Sequence, residues 1–205
     1  MGQSGQFAQL GRWAAIAVAL GLGGTMLYGT RLPSQVEITR SILVASPPGA
    51  IYPLLADFKN GWTRWYAIDD EDPGISYAYT GTASGEGAVQ TWTSKKLGDG
   101  KMMITRADSL NGVGFEMTMG PDGKDFHLTG SLAMTPEGAG TRLTWSDLAD
   151  LGPSPTKRLM GPVFAKMRGQ SFEKSLAGIK RLAEAVPAPT AAAPIDSAAG
   201  SVSPK

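Results

Sequence analysis

Six short strand-like runs in the middle of the chain limit its fold more than any other feature. They occupy residues 75–81, 87–95, 101–109, 113–119, 125–135 and 141–146. Gly98-Asp99-Gly100, Asn111-Gly112, Pro121-Asp122-Gly123 and Pro136-Glu137-Gly138 lie between them, and each is a turn-forming cluster. Short strands at such regular spacing build an antiparallel meander, because tight turns join only neighbouring antiparallel strands. A meander with one apolar face needs a partner layer to cover it.

The flanking segments supply that layer. Over residues 35–45, Val36, Ile38, Ile42 and Val44 alternate with Glu37, Thr39 and Ser41, the pattern of a half-buried strand. Ser46-Pro47-Pro48-Gly49 starts a short helix carrying Ala50, Ile51, Leu54, Leu55 and Phe58, with Pro53 expected to distort it. A long helix is expected over residues 154–185, capped by Ser154-Pro155. Its apolar stripe contains Met160, Val163, Phe164, Met167, Phe172, Leu176, Ile179 and Leu182, while Lys157, Arg158, Lys166, Arg168, Lys174, Lys180 and Arg181 are assigned to its other faces. Gly161-Pro162 is expected to kink this helix or divide it. Its basic face is either plain solvation or a contact with anionic lipid.

Outside this block the composition changes. Residues 13–30 are eighteen uncharged residues between Arg12 and Arg31, which as a helix would extend about 27 Å. An uncleaved single-pass membrane anchor is expected there, preceded by a short region at 1–12, with a cleaved signal peptide as the alternative. The charge asymmetry places the following domain on the extracytoplasmic side. Ala17, Gly21, Thr25 and Gly29 recur every fourth residue and would allow a weak homodimer. Residues 187–205 are rich in Ala, Pro and Ser and read as a disordered tail. The folded domain is therefore assigned to residues 34–186.

Charge and composition exclude some functions. A formal net charge of +1 without a basic run gives no attraction for nucleic acid. With no cysteine, thiol nucleophiles and thiolate metal sites are absent. Asp69-Asp70-Glu71-Asp72 reads as a solvated turn, since it lacks the spaced ligands of a calcium loop. A single histidine, His127, cannot make a metal site or complete a Ser-His arrangement without close partners, and its parity points outward with that of Glu116. No catalytic constellation, metal site or cofactor is legible.

Arg40-Ser41-Ile42 leading to Ala45-Ser46-Pro47-Pro48, then Leu54-Leu55-Ala56-Asp57-Phe58 and Asn60 followed by Trp62 and Trp65, resemble the START-like superfamily. That superfamily is also called SRPBCC and includes polyketide cyclase/dehydrase proteins. Tyr79-Thr80-Gly81, Gly85-Glu86-Gly87-Ala88, Trp92 and Gly140-Thr141-Arg142-Leu143-Thr144-Trp145 extend the resemblance over about residues 35–184. Pro53 and Gly61 depart from the family pattern. The resemblance implies an α+β helix-grip fold: a curved antiparallel sheet of about seven strands wrapped on a long C-terminal helix, with two short helices after the first strand. It also implies a cavity for a hydrophobic small molecule such as a lipid, sterol, polyketide or quinone.

Parity and helical spacing name the side chains that would line such a cavity. Tyr77, Tyr79, Gln90, Trp92, Ile104, Arg106, Phe115, Met117 and Leu128 point inward from the strands, with Leu143 or Trp145. Met160, Phe164, Met167 and Ser171 come from the helix, and Trp62 and Trp65 would close one end. Ordinary core packing is the competing role for each apolar residue. Arg40, Gln90 and Arg106 are inward polar groups that need a partner, a ligand oxygen or a place at the rim. The expected function is binding or transfer of a hydrophobic molecule near a membrane. The alternatives are a cyclase/dehydrase-like enzyme and a tethered interaction domain without a cavity.

Overall fold

The computed structural model describes residues 3–67, 72–120 and 126–185, with the side chains of residues 3–11 and 14 outside that description. The expected tail, the acidic residues Asp69 to Glu71 and the Pro121-Asp122-Gly123 turn also lie outside it. Helix α1 (Gln3–Arg31) precedes strand β1 (Gln35–Val44) and helix α2 (Pro48–Ala56). A short 3-10 turn follows at Trp62–Arg64. The meander comprises β2 (Ser76–Gly81), β3 (Ala88–Thr93), β4 (Gly100–Asp108), β5 (Gly112–Met119), β6 (Phe126–Glu137) and β7 (Gly140–Asp150), and the chain continues into α3 (Pro155–Glu184).

All seven strands form one antiparallel sheet in the order β1-β7-β6-β5-β4-β3-β2. The first strand therefore joins the sheet beside the last, and α2 with its following loop carries the chain across to the far edge. Alternating side chains put Leu143, Trp145, Asp147 and Ala149 of β7 on the inner face. α3 lies across that face, resting on β1 and, through Phe172, on Trp145. This is the helix-grip architecture expected of the sequence.

Neither proline divides its helix. α2 continues through Pro53, and α3 is unbroken across Gly161 and Pro162. Ser154 caps α3 by accepting from the Lys157 amide, with Pro155 in its first turn. At the end of α2, the indole N–H groups of Trp62 and Trp65 donate to the Leu55 and Leu54 carbonyls at 2.7 and 2.9 Å. These are carbonyls that a helix end leaves without intrahelical partners. Gly61 is required in this loop, because a Cβ there would lie 2.5 Å from the Leu54 carbonyl oxygen.

α1 differs from expectation. Among the described residues no helix is long and apolar enough to cross a membrane, so the structure does not support the anchor or a single-pass protein. Gly21, Gly23, Gly24, Thr25, Gly29 and Thr30 dilute the apolar character of the segment. The dimer stripe is not supported either. Gly29 is buried within the chain against Pro155 and Leu159, and the Thr25 hydroxyl donates to the Gly21 carbonyl. Arg158 locks the junction through Nη1, which donates to the Thr30 and Leu32 carbonyls at 3.0 and 3.2 Å.

Candidate functional site

The centre of the grip is filled by aromatic rings. Trp62 is buried, with its ring centroid 4.7 Å from Trp65, 5.3 Å from Tyr66, 5.4 Å from Phe115 and 6.1 Å from Trp145. Trp145 in turn stacks on Phe172 of α3 at 4.2 Å. Trp62 and Trp65 are both buried in this cluster rather than standing at the mouth of a cleft. Anchoring their indoles to α2 fixes them there.

The other inward positions divide among three environments. Trp92, Ile104, Phe115 and Leu128 are buried in the continuous core, as are both Leu143 and Trp145. Tyr77 and Tyr79 are half-buried and stacked at 6.3 Å, and Tyr79 lines a separate groove of mixed character with Asp57, Phe58, Asn60 and Val89. Gln90 is buried, and its Oε1 has no hydrogen-bond partner among the described residues.

Arg106 corrects the parity reading. Ile104 pairs with Phe115 but Arg106 pairs with Gly114, so Thr105 is the extra residue of a bulge. A bulge reverses every side chain after it, and Arg106 becomes exposed. Arg40 keeps its inward parity but ends at the rim over α3, its Nε donating to Glu173 at 2.9 Å. Met160 also turns away from the grip and is 53% exposed. Glu116 and His127 face solvent.

Beyond the aromatic cluster, toward the start of α3, helix and sheet separate. A cleft of about 180 Å³ lies there, with Met117 and Met119 of β5 and Phe126 of β6 on one side. Phe164 and Met167 of α3 form the other wall, and Leu97 from the β3–β4 hairpin completes it. Phe126 and Phe164 meet edge to face at 5.4 Å. Methionines on both walls make the lining adaptable in shape. Of the sequence-derived residues, Met117, Phe164, Met167 and Ser171 come together here.

Arg168 also lines this cleft, although the sequence assigned it to a solvated face. Its side chain is only 12% exposed and reaches Asp147, which is fully buried, at 3.2 Å. Both Nη atoms lie 3.4 Å from the Tyr66 hydroxyl, the guanidinium sits 5.3 Å from the Phe172 ring, and Trp145 Nε1 donates to Asp147 at 2.9 Å. Burial holds the Asp147 carboxyl above the usual carboxylate range, against the opposing pull of Arg168 and the Trp145 N–H. Burial also works against the Arg168 charge, but Tyr66 and Asp147 outweigh it and raise the guanidinium pKa. The pair is electrically balanced through one ion contact, and Arg168 Nε is buried without a partner among the described residues.

Two signals in the sequence pointed to this network. Phe164, Arg168, Phe172 and Leu176 recur at four-residue spacing, which puts Arg168 on the apolar stripe. Asp147 continues the inward parity of Leu143 and Trp145, one residue past the expected strand end.

A helix-grip domain with an apolar cleft beside its long helix is thus the class that fold and site define. The sequence profile of the family described as polyketide cyclase / dehydrase and lipid transport matches residues 35–184, and the chain belongs to that family. No curated protein matches the chain by sequence. Among solved structures, the KanY protein is 18% identical with a TM-score of 0.55, over 74% of this chain and 99% of that one. Ara h 8.0201 is 12% identical with a TM-score of 0.52, over 74% and 99%. A truncated norcoclaurine synthase from Thalictrum flavum is 15% identical with a TM-score of 0.53, over 72% and 92%. At these identities the likeness is one of fold.

Proposed function

We propose that the chain binds and carries a hydrophobic small molecule in the cleft between the first half of α3 and strands β5 and β6. The carrying observation is the cleft itself: six apolar side chains line a space of about 180 Å³ between the long helix and the sheet. Solvent-facing apolar walls of this kind favour an apolar occupant, since each Å² removed from water contributes about 25 cal/mol. Family membership supports the same reading, because lipid transport and cyclase/dehydrase chemistry both need a site for a hydrophobic molecule. Met160, Val163 and Met167, exposed on α3, give such a molecule an apolar approach to the cleft.

The test is a titration of the full chain with aminoanthracene, an uncharged fluorophore that brightens in apolar surroundings. Saturable brightening is expected for the native protein, and its loss for Ser171→Trp, which fills the cleft from the α3 side without touching the aromatic cluster. Equal brightening in both proteins would place the bound probe elsewhere and overturn the assignment.

A further inference from the structure

One end of the grip collects most of the large apolar side chains that the protein leaves uncovered. α1 finishes there, its last turn seated on the first turn of α3: Gly29 lies against Pro155 and Leu159, and Met26 Sδ is 3.9 Å from the Thr156 hydroxyl. Before that junction the side chains of α1 are open, with Trp13 67% and Leu20 72% exposed and Ile16, Leu27 and Tyr28 exposed as well. Met160, Val163 and Met167 continue this surface along α3 to the lip of the cleft. Among the described residues, the large apolar side chains exposed anywhere else are Leu43, Leu110 and Leu148. Such a concentration marks an interaction surface, where single exposed residues would not.

Charge in the same region selects the partner. Residues 1–36 and 151–172 contain no carboxylate side chain, and Asp150, just before the second stretch, accepts from the Gly152 amide. Arg12, Arg31 and Lys166 are exposed with no carboxylate partner among the described residues. Arg158 donates only to the Thr30, Leu32 and Gly152 carbonyls, so its charge is uncompensated too. Cations set around apolar side chains match an anionic lipid surface, which attracts the former and accepts the latter. A second copy of the chain would bring like charges against these and is opposed by them.

We propose that α1 and the first half of α3 dock this end of the grip on an anionic membrane surface, with no helix crossing it. Trp13 and Tyr28 suit the interface, where rings with a polar edge settle. Docking sets Phe164 and Met167, at the lip of the cleft, toward the bilayer. The β4–β5 hairpin, at the opposite end of β5 from Met119, is held away from it. Exchange of the molecule in the cleft with the bilayer rests on the carrying function proposed above; the docking itself does not.

The chain has no cysteine, so a single one can be placed and labelled. Val163→Cys and Leu110→Cys forms of the full chain, each bearing a nitrobenzoxadiazole fluorophore, are titrated with two kinds of vesicle. One is phosphatidylcholine alone; the other contains an equal part of phosphatidylglycerol. Brightening is expected at position 163 with the anionic vesicles, much less with the neutral ones, and none at position 110. Adding Arg31→Gln and Lys166→Gln to the Val163→Cys form is expected to weaken binding about 25-fold, about fivefold for each charge, and added salt to weaken it as well.

No brightening with either vesicle would overturn the docking. Equal binding to both kinds, indifferent to salt and to the two substitutions, would overturn the part given to charge and the anionic partner with it. Brightening at position 110 as strong as at 163 would put the membrane contact elsewhere. Brightening at 163 that follows protein concentration and ignores vesicles would show a second copy covering the surface instead. None of these results alters the aminoanthracene titration, so failure of the docking and failure of the cleft are read separately.

Discussion

Single residues in the interior are constrained by what faces them across the sheet. Gly130 pairs with both Phe115 and Asp147, and a Cβ there would lie 2.3 Å from the Phe115 ring and 2.5 Å from the Asp147 carboxylate. Gly130→Ala is therefore expected to cost about 1–3 kcal/mol through overpacking, read as a lower denaturant midpoint at unchanged slope. Asp147 makes a sharper case. Asp147→Ala leaves Arg168 buried without its counter-charge and should cost about 3–5 kcal/mol, while Asp147→Leu combined with Arg168→Met should recover most of that loss. A double variant no more stable than Asp147→Ala alone would show that packing, not charge, sets the cost.

At the level of elements, two junctions fasten helices to the grip. Glu184, at the end of α3, accepts from the Ala45 amide at 2.7 Å and pairs with Lys180 at 3.1 Å. The Ala45 amide, then Lys180, hold its carboxyl below the ordinary value. A carboxyl whose folded pKa is depressed contributes stability above its unfolded pKa and loses it as pH falls through the folded one. The difference in denaturation midpoint between native protein and Glu184→Gln should therefore shrink on acidification below the ordinary glutamate range. At the other junction, Gly29→Leu would drive a side chain into Pro155, where a Cβ already falls 2.9 Å from the ring. Limited proteolysis should then cut faster near residues 29–34, with little change in the melting temperature of the remaining domain. Element order was legible because turn clusters and the period of two are local signals. What was misread was also local in origin: the division of α3 offered at Gly161-Pro162 does not occur, and nothing in residues 101–109 announces the bulge at Thr105.

The whole molecule is a grip closed by aromatic packing at its centre and open at one end. Parity alone placed Phe115, Met117, Leu128, Trp92 and Gln90 on the inner face, and each is buried. It could not say which inward side chains meet a cleft and which meet one another, because that depends on where Trp62 and Trp65 enter from α2. The hydrogen bonds from those indoles to the Leu54 and Leu55 carbonyls fold the chain back on the end of α2, a side-chain arrangement that alternation and helical spacing do not encode. Arg168 was missed for a related reason: charge was weighed above its four-residue spacing from Phe164 and Phe172. Methionine is distributed so that a single measurement can locate the ligand. Met117, Met119 and Met167 line the cleft, whereas Met102 and Met134 are buried in the core. With methionine methyl groups isotopically labelled, titration of the full chain with aminoanthracene is followed by nuclear magnetic resonance. The account predicts large shifts of the Met117, Met119 and Met167 methyls with Met102 and Met134 nearly still. Shifts concentrated on Met102 and Met134, or none at any of the five, would contradict it.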